Sequence, residues 1–223
     1  MIFLQIVTDT TALESAEPSM SIMDLALKGG VIMYPLFLMW IIAVYVFVER
    51  LLTVNKAGKV PESFMISVRD LVSRGDISGA KLICTQNHTP IARIIEKGIN
   101  RIGKPIENIE KAMENIGRLE LYKMEKNMVV LTIIAGVAPM FGFLGTIAGM
   151  IQTFFNISIT SDITLGTIAG GIYVKMITSA TGLIIGIMAY IGYSYLNAQI
   201  DKVVNKMEGA SAEFIDVLHA PVK

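Results

Sequence analysis

The sequence predicts an all-α membrane protein with three transmembrane helices and a small helical cytoplasmic domain. Hydrophobic residues make up 53% of the 223 residues and charged residues only 17%, whereas an ordinary soluble domain carries about 25% charged residues. The charges are also unevenly distributed, because three long stretches contain almost none. Apolar and polar residues do not alternate over any useful length, so we predict no strand.

The charge and residue counts exclude several classes of protein. The 19 Lys and Arg residues balance the 19 Asp and Glu residues, which excludes a basic nucleic-acid-binding protein. Cys84 is the single cysteine, which excludes an intramolecular disulfide and a cysteine-rich metal site. No metal-ligand spacing or nucleophile motif surrounds His88 or His219. We therefore expect no enzyme, no cofactor and no metal site.

Three stretches are long enough to cross a bilayer, which requires about 20 apolar residues of helix. Residues 31–48 and 128–155 hold no charge, and residues 163–200 hold only Lys175. Three such stretches in a short chain leave too little polar surface for a soluble protein with buried helices. The predicted transmembrane segments are 31–50, 128–155 and 163–200, and the last of these includes the start of a cytoplasmic extension.

The distribution of Lys and Arg predicts the orientation, because these residues are enriched on the cytoplasmic side of a membrane. Residues 1–30 hold one Lys and four acidic residues, whereas residues 49–127 hold fourteen Lys and Arg. We therefore predict that the N-terminus is external and that Cys84 lies in a reducing compartment. The predicted segments outside the membrane are an external N-terminal segment 1–30, a cytoplasmic helical domain 51–127, an external link 156–162 and a cytoplasmic tail 201–223.

Turn and capping residues divide the cytoplasmic domain into helices. Pro61 is placed to begin a helix that stops at Gly75, and Asp76 is placed to cap the next helix, which runs to Asn87. Thr89-Pro90 opens a third helix that ends at Gly103. One face of this third helix is apolar at Ile91, Ile94, Ile95 and Ile99.

Apolar residues at spacings of three and four continue after Pro105 and again beyond the third span. No Gly–Pro break separates the first of these patterns from Met128, so we expect one rod from about residue 106 to the end of the second span. The tail extends the third span in the same way. These apolar faces fit either an intramolecular core or contacts between subunits, and we expect both. The apolar tail positions are Ile200, Val203, Val204, Met207, Phe214, Val217 and Leu218.

The second and third spans are rich in small residues, which allow membrane helices to approach closely. Three pairs have the small-xxx-small spacing: Gly145/Gly149, Gly166/Gly170 and Gly182/Gly186. A proline in the second span removes one backbone hydrogen bond. The predicted helix-packing residues are Pro139, Gly142, Gly145, Gly149, Gly182 and Gly186.

Hydroxyl side chains on these two spans indicate a weakly polar inner lining. They are Thr146, Thr178, Ser179 and Thr181. Any one of them alone could simply bond to a carbonyl of its own helix. Between Met128 and Gln199 the only acidic residue is Asp162, in the external link. A proton path along these spans would therefore need a carboxylate from another chain.

Lys175 is the one charged residue inside the third span. It lies twelve residues past Ile163, about 18 Å along a helix and so near the middle of the bilayer. A lysine at this depth either faces a subunit seam or pore edge, where water or a partner's carboxylate stabilises its charge, or is neutral and hydrogen-bonded to a backbone carbonyl. We favour the first alternative.

Two motifs resemble the ExbB/TolQ/MotA proton-channel family. Residues 138–151, APMFGFLGTIAGMI, resemble that family's APxxGLLGTVxGMI signature, and residues 171–183, GIYVKMITSATGL, resemble GIxEALxxTAxGL. The similarity covers roughly residues 28–200. Three spans with an external N-terminus resemble ExbB or TolQ, whereas MotA-type proteins have four spans.

The resemblance implies a pentamer in the bacterial inner membrane whose second and third spans surround a pore. An ExbD/TolR-type single-span partner would sit in the pore and carry protons on an aspartate, and proton flow would energise a TonB-type or TolA-type protein. The family's pore threonines fall on Thr146 and Ser179, and its third-span glutamate falls on Val174, which departs from the pattern. The residues we predict along the pore or proton path are Thr146, Thr178, Ser179 and Lys175.

Two alternatives to an ExbB-like subunit remain open at this point. One is a TolQ-like subunit of the Tol envelope system. The other is a passive membrane scaffold that assembles partner helices without conducting protons. Both a channel and a scaffold need glycines that let the second and third spans pack closely. Only a channel needs the hydroxyl-bearing face.

Overall fold

The computed structural model describes residues 30–59, 61, 63–160 and 165–219. All regular elements in these residues are α-helices, and three helical segments are long and apolar enough to cross a membrane. The predicted all-α fold with three candidate spans is therefore confirmed, and the chain is a multi-pass membrane protein. The helices are α1 (Met33–Ala57), α2 (Ser63–Ser73), α3 (Ile77–Gln86), α4 (Pro90–Ile99), α5 (Ile106–Glu125), α6 (Met128–Thr160) and α7 (Leu165–His219).

Parts of five predicted segments fall outside the described residues. These parts are residues 1–29 of the external segment, 60 and 62 of the cytoplasmic domain, 161–162 of the link, 163–164 of the third span and 220–223 of the tail. Helix α6 continues to Thr160, so the predicted link begins as helix.

The predicted helix caps in the cytoplasmic domain are present. The Asp76 side chain accepts a 2.9 Å hydrogen bond from the Gly79 amide at the start of α3. The Thr89 hydroxyl accepts a 3.4 Å hydrogen bond from the Ala92 amide at the start of α4. Each bond satisfies an amide that has no partner within its helix. Helices α3 and α4 therefore begin where the sequence predicts. The predicted end of α4 at Gly103 is wrong, because this helix ends at Ile99 and turns follow it.

The expected continuous rod from residue 106 is wrong at one point. Helix α5 ends at Glu125 and α6 begins at Met128. Between them Asn127 has a φ of 66°, in the left-handed region that asparagine tolerates better than most residues. The backbone therefore breaks without glycine or proline. By contrast, α7 runs for 55 residues without interruption, as predicted for the extended third span.

The chain divides into two compact units. Among the described residues, unit 1 contains 30–38, 138–160 and 165–184, and unit 2 contains the described parts of 39–137 together with 185–219. Helices α1, α6 and α7 contribute residues to both units.

The core of unit 2 forms where α4, α5 and α7 meet. The four isoleucines of α4 are all buried, as are Met113 of α5 and Phe214 of α7. A β-carbon at Gly98 would lie 2.6 Å from a Phe214 ring carbon and 2.7 Å from the Met113 sulfur. Glycine is needed there because larger residues would displace both side chains. The apolar face predicted for α4 thus packs within the chain.

A charged cluster also lies in unit 2. The Glu120 carboxylate is 5% exposed, with Arg93 Nη1 at 2.9 and 3.0 Å from its two oxygens and Lys123 Nζ at 2.6 Å. Buried Arg50 pairs with Glu49 and donates a 2.9 Å hydrogen bond to the Lys123 carbonyl. These bonds join the end of α1 and the start of α4 to α5.

Candidate functional site in the α6–α7 helix pair

Helices α6 and α7 pack against each other in opposite directions within unit 1. Their contacts run in reverse order along the two helices, which is the signature of an antiparallel pair. From one end to the other, the contacting pairs are Ala138 with Gly182, Gly142 with Gly182, Gly142 with Ser179, Gly145 with Thr178 and Gly149 with Lys175.

The closest approach is between backbones, at Gly142 and Gly182. A β-carbon at Gly182 would lie 2.5 Å from the Ala138 carbonyl oxygen and 2.9 Å from Gly142 Cα. A β-carbon at Gly142 would lie 3.0 Å from the Thr178 carbonyl oxygen. Backbone atoms cannot swing aside as a side chain can, so the two glycines allow the short interhelical distance.

Thr178 occupies the next layer of the helix contact. A β-carbon at Gly145 would lie 2.6 Å from Thr178 Cγ2 and 3.5 Å from Ile32 Cγ2. The Thr178 side chain is fully buried. Within one chain, this residue therefore lies in the seam between α6 and α7. Its predicted place along a pore remains a prediction.

The other hydroxyls lie beside this contact and are half-buried. Thr146 Oγ1 donates a 2.7 Å hydrogen bond to the Phe143 carbonyl, and Thr181 Oγ1 donates a 2.9 Å bond to the Ile177 carbonyl. Ser179 is half-buried on the same side as Thr178 and adjoins Gly142. Each bonded hydroxyl keeps oxygen lone pairs that can accept a further hydrogen bond. These hydroxyls can therefore still bind water or a hydrogen-bond donor of a partner.

Lys175 lies in the last layer of the α6–α7 contact, at the opposite end from Ala138. Its aliphatic stem covers Gly149, and the side chain is half-buried. Among the described residues, no acidic side chain forms an ion pair with its ammonium group. The position of the Lys175 stem is therefore defined by its contact with Gly149. The described residues of this chain provide no counterion for the ammonium group.

The remaining predicted residues lie in or near the same helices. Pro139 is half-buried within α6, which continues past it, and Gly186 is buried on α7 in unit 2. The side chain of Val174 lies outside the described residues. Ala138, one of the small residues of the second span, is not among the predicted packing residues, but it is fully buried against Gly182. Its spacing of four from Gly142 is the signal that could have identified it.

No three His, Cys, Asp or Glu side chains among the described residues are grouped closely enough to hold a metal ion. The potential chemistry of this helix pair therefore depends on hydroxyls, backbone carbonyls and one ammonium group. Hydroxyls and backbone carbonyls can line a path for protons, but they do not take up and release a proton as a carboxylate does.

A sequence profile of the MotA/TolQ/ExbB proton channel family matches residues 86–209, more than half of the chain. The chain belongs to this family. The matched segment contains every α6–α7 contact described above, from Ala138 to Gly182. The segment that matches the family therefore includes the whole contact between α6 and α7.

Individual relatives in the MotA/TolQ/ExbB family carry ExbB and TolQ names. The chain is 28% identical over 189 residues to an ExbB homologue of Methanothermobacter thermautotrophicus, covering 84% of this chain and 67% of the relative. It is 30% identical over 183 residues to the ExbB-like protein 1 of Synechocystis, covering 78% and 70%. It is 28% identical over 117 residues to the Tol-Pal system protein TolQ of Pseudomonas aeruginosa, covering 52% and 51%.

Proposed function

We propose that the chain is an ExbB-like, non-enzymatic subunit of an inner-membrane motor that uses the proton motive force. The observation that carries this proposal is the α6–α7 pair, in which small residues bring two membrane helices together and hydroxyls line the same region. Membership of the proton-channel family supports the proposal. In this account α6 and α7 form the wall of a proton path.

The proposed path needs a partner. Between Met128 and Gln199 the only carboxylate is that of Asp162, in the predicted external link. A proton relay inside a membrane needs a group that takes up and releases protons. We infer that an ExbD/TolR-type protein supplies this group on a single transmembrane helix held by the oligomer.

The proposed assembly is a pentamer around a central pore. Large apolar side chains of α6 face away from the chain's own core, including Met140, Phe143 and Ile151 at 69%, 62% and 65% exposure. In a membrane such surfaces face lipid or neighbouring subunits. They supply the surface that a ring of subunits and its partner helices would bury.

The proposed orientation places the N-terminus outside and the helical domain in the cytoplasm. A cysteine introduced as Ser158→Cys would lie at the exposed outer end of α6. We expect it to react with a thiol reagent that cannot cross the membrane, applied from outside. Labelling solely from the cytoplasmic side would contradict the orientation.

Two energy-transducing systems fit this function, and we favour a TonB-type client. The names of the relatives support either one, since both ExbB and TolQ proteins match. The alternative is a TolQ-like role in the Tol envelope system. Purification of the native complex separates them, because it should retain either a TonB-type protein or a TolA-type protein.

The hydroxyls distinguish a channel from a passive scaffold. Thr146→Val removes a hydroxyl at nearly constant volume, and Ser179→Ala removes one without adding a methyl group. An interhelical hydrogen bond in a membrane contributes only about 0.6–2 kcal/mol, so the double variant should assemble normally. We expect its proton-driven activity to fall markedly.

The matched control is Thr153→Val on the same helix, where the hydroxyl donates to the Gly149 carbonyl and lies outside the predicted path. This variant should keep wild-type activity. Full activity in the Thr146/Ser179 double variant would show that these hydroxyls only pack, as in a scaffold.

A further inference from the structure

An acidic pocket of about 530 Å³ lies in unit 2 between α5 and α7. Glu110 and Glu114 of α5 line it together with Glu208 and Asp216 of α7. Arg118 is the one basic residue among the described lining residues, and its guanidinium already pairs with Glu114 at 2.5 Å. We call this side of α7 the acidic flank.

A basic pocket of about 510 Å³ lies in the same unit between the end of α1 and α7. None of the described residues that line it is acidic. A β-carbon at Gly58 would lie 3.3 Å from Val203 Cγ2, so the chain just after α1 lies beside this part of α7. We call this side of α7 the basic flank. Its polar residues are three lysines and three amides: Lys59, Lys202, Lys206, Asn55, Gln199 and Asn205.

The two flanks lie on different sides of α7. Successive residues of an α-helix are turned by about 100°, so Asp201 and Glu208, seven residues apart, share one side. Lys206 lies about 160° around the helix from Glu208, and Lys202 lies about 120° from it. The exposed surface of α7 therefore has an acidic edge next to α5 and a basic edge next to α1.

The charges of the two edges lie at the same height along α7. Lys202 and Lys206 fall between Asp201 and Glu208 in the sequence, and all four lie within about 10 Å of helix. Copies related by rotation about one axis have equivalent residues at equal heights. In a ring of subunits with its axis along the membrane normal, the acidic edge of one copy is therefore level with the lysines of its neighbour.

The charged groups of both edges are available for a partner. Asp201, Lys202, Lys206 and Glu208 are all exposed. The ion pairs formed within the described residues involve other side chains. An acidic peptide would satisfy only the basic flank and a basic peptide only the acidic flank, whereas a second copy of this chain satisfies both.

We propose that the acidic flank of one copy binds the basic flank of the next copy. This inference rests on the proposed assembly of several copies around one axis. Two different surfaces that complement each other form a head-to-tail contact, which generates a ring when the rotation between copies closes. Exposed ion pairs are individually weak, so the flanks chiefly define how neighbouring cytoplasmic units are oriented, because like charges oppose other pairings.

Cysteine cross-linking of the full-length protein in membranes tests the contact. The buried Cys84 is first changed to alanine, so that only introduced thiols react. Copies with Lys206→Cys and copies with Glu208→Cys, when co-expressed, should be joined into dimers by a short bismaleimide. Each variant expressed alone should give almost no dimer, because a head-to-tail contact does not bring the same residue of two copies together.

The matched control for the cross-link replaces Lys206→Cys by Lys81→Cys, an exposed position on α3 that belongs to neither flank. Its co-expression with Glu208→Cys should give no dimer.

Charge reversal tests whether the opposite charges matter. Lys202→Glu with Lys206→Glu makes both flanks acidic, and Asp201→Lys with Glu208→Lys makes both flanks basic. Each double variant should associate at least about fivefold more weakly per contact, measured by light scattering as the detergent-solubilised protein is diluted. All four substitutions in one chain exchange the two flanks, so they should restore association.

The control for net charge is Lys81→Glu with Lys104→Glu, at exposed positions away from both flanks. It should associate like the wild type. Equal weakening by this control, or failure of the four substitutions to restore association, would overturn the proposal.

The cross-linking result separates this contact from the proposed ring. An intact oligomer whose co-expressed cysteines are not linked would overturn the contact and leave the proposed function standing. Dimers formed by either single variant alone would show a two-fold contact instead of a head-to-tail one. A wild-type protein that is monomeric in membranes would contradict both the contact and the proposed ring.

Discussion

The stem of Lys175 lies over Gly149, in the space that a β-carbon at that glycine would occupy. The contact places a cationic side chain of α7 across the backbone of α6. Glycine at this position therefore has a specific partner, and that partner is a charged residue in an otherwise uncharged span. The contact between Gly149 and Lys175 therefore joins a helix-packing position of α6 to the one charged residue of the third span.

The glycines of the helix pair should differ in their tolerance of alanine. At Gly182 a methyl group would meet backbone atoms of α6 at 2.5–3.0 Å, so Gly182→Ala should force the helices apart and cost about 1–3 kcal/mol. At Gly149 the nearest atoms would be those of the flexible stem of Lys175, so Gly149→Ala should cost less. Thermal unfolding of the detergent-solubilised protein measures both.

The matched control for these glycine variants is Gly136→Ala, where the added β-carbon would meet no described residue within 4 Å apart from its chain neighbours and the backbone of its own helix. It should leave the unfolding temperature nearly unchanged or raise it slightly. The double variant Gly149→Ala with Lys175→Ala should recover the loss seen in Gly149→Ala alone. Equal destabilisation at Gly136 and Gly182 would contradict the packing described for α6 and α7.

The charge of Lys175 should matter for coupling. Lys175→Met keeps the length of the side chain and removes its charge, so the stem can still cover Gly149. A membrane-embedded ammonium group is stable only when water, a carbonyl or a carboxylate faces it. We expect the variant to assemble but to couple protons poorly, or to bind the single-span partner less tightly.

Lys175→Arg keeps the positive charge and serves as the control, although the guanidinium differs in shape from the ammonium group. It should retain more partner in a purified complex than Lys175→Met retains. Wild-type proton-driven activity and partner affinity in Lys175→Met would show that the charge is incidental.

Glu120 should contribute more to the stability of unit 2 than the exposed Glu114. Its buried carboxylate accepts hydrogen bonds from Arg93 and Lys123, whereas the carboxylate of Glu114 forms an exposed pair with Arg118 at 2.5 Å. Removing a charge-assisted bond inside a protein costs about 1–3 kcal/mol, while an exposed helical pair contributes roughly 0.3–0.5 kcal/mol. Thermal unfolding of Glu120→Ala should therefore show a clear loss of stability, and that of Glu114→Ala almost none. Similar losses in the two variants would refute the ranking.

Cys84 should react slowly with thiol reagents in the native protein. The side chain is 1% exposed, and burial, together with the nearby charge of Glu96, raises the pKa of the thiol from 9.0 to about 12. Because the thiolate is the reactive form, alkylation at pH 7–8 should be far slower in the native state than in denaturant.

The sign of the pH effect follows from the direction of this pKa shift. The unfolded chain releases the Cys84 proton near pH 9, whereas the folded chain retains it to about pH 12. The unfolded state therefore binds fewer protons in that range, and stability should fall as pH rises from 9 toward 12. Cys84→Ala should reduce this loss. Rapid native alkylation at pH 7.5 would contradict the burial of the thiol.

Local sequence signals predicted the local structure well. The caps at Asp76 and Thr89 and the buried isoleucines of α4 depend on residues within one or two helical turns of each other, so spacing alone is informative. The break at Asn127 escaped prediction because an asparagine in the left-handed region carries no distinctive signal without glycine or proline.

Contacts between distant residues could not be predicted in the same way. Small-residue spacing marked Gly149 and Gly182 as packing positions, but it does not determine which residue of α7 faces each glycine. That depends on the register of α6 against α7, which places Lys175 on Gly149. The bond between Arg93 and Glu120 likewise joins residues 27 positions apart, and many other pairings are compatible with the pattern of charges.

The central claim is that this chain forms a proton path only together with a partner that supplies a carboxylate in the membrane. Proton uptake into vesicles under an applied membrane potential tests it most directly. We expect uptake when the chain is reconstituted with its ExbD/TolR-type partner, and almost none with the chain alone or with a partner whose membrane aspartate is changed to asparagine. Rapid proton uptake by vesicles that contain this chain alone would contradict the account.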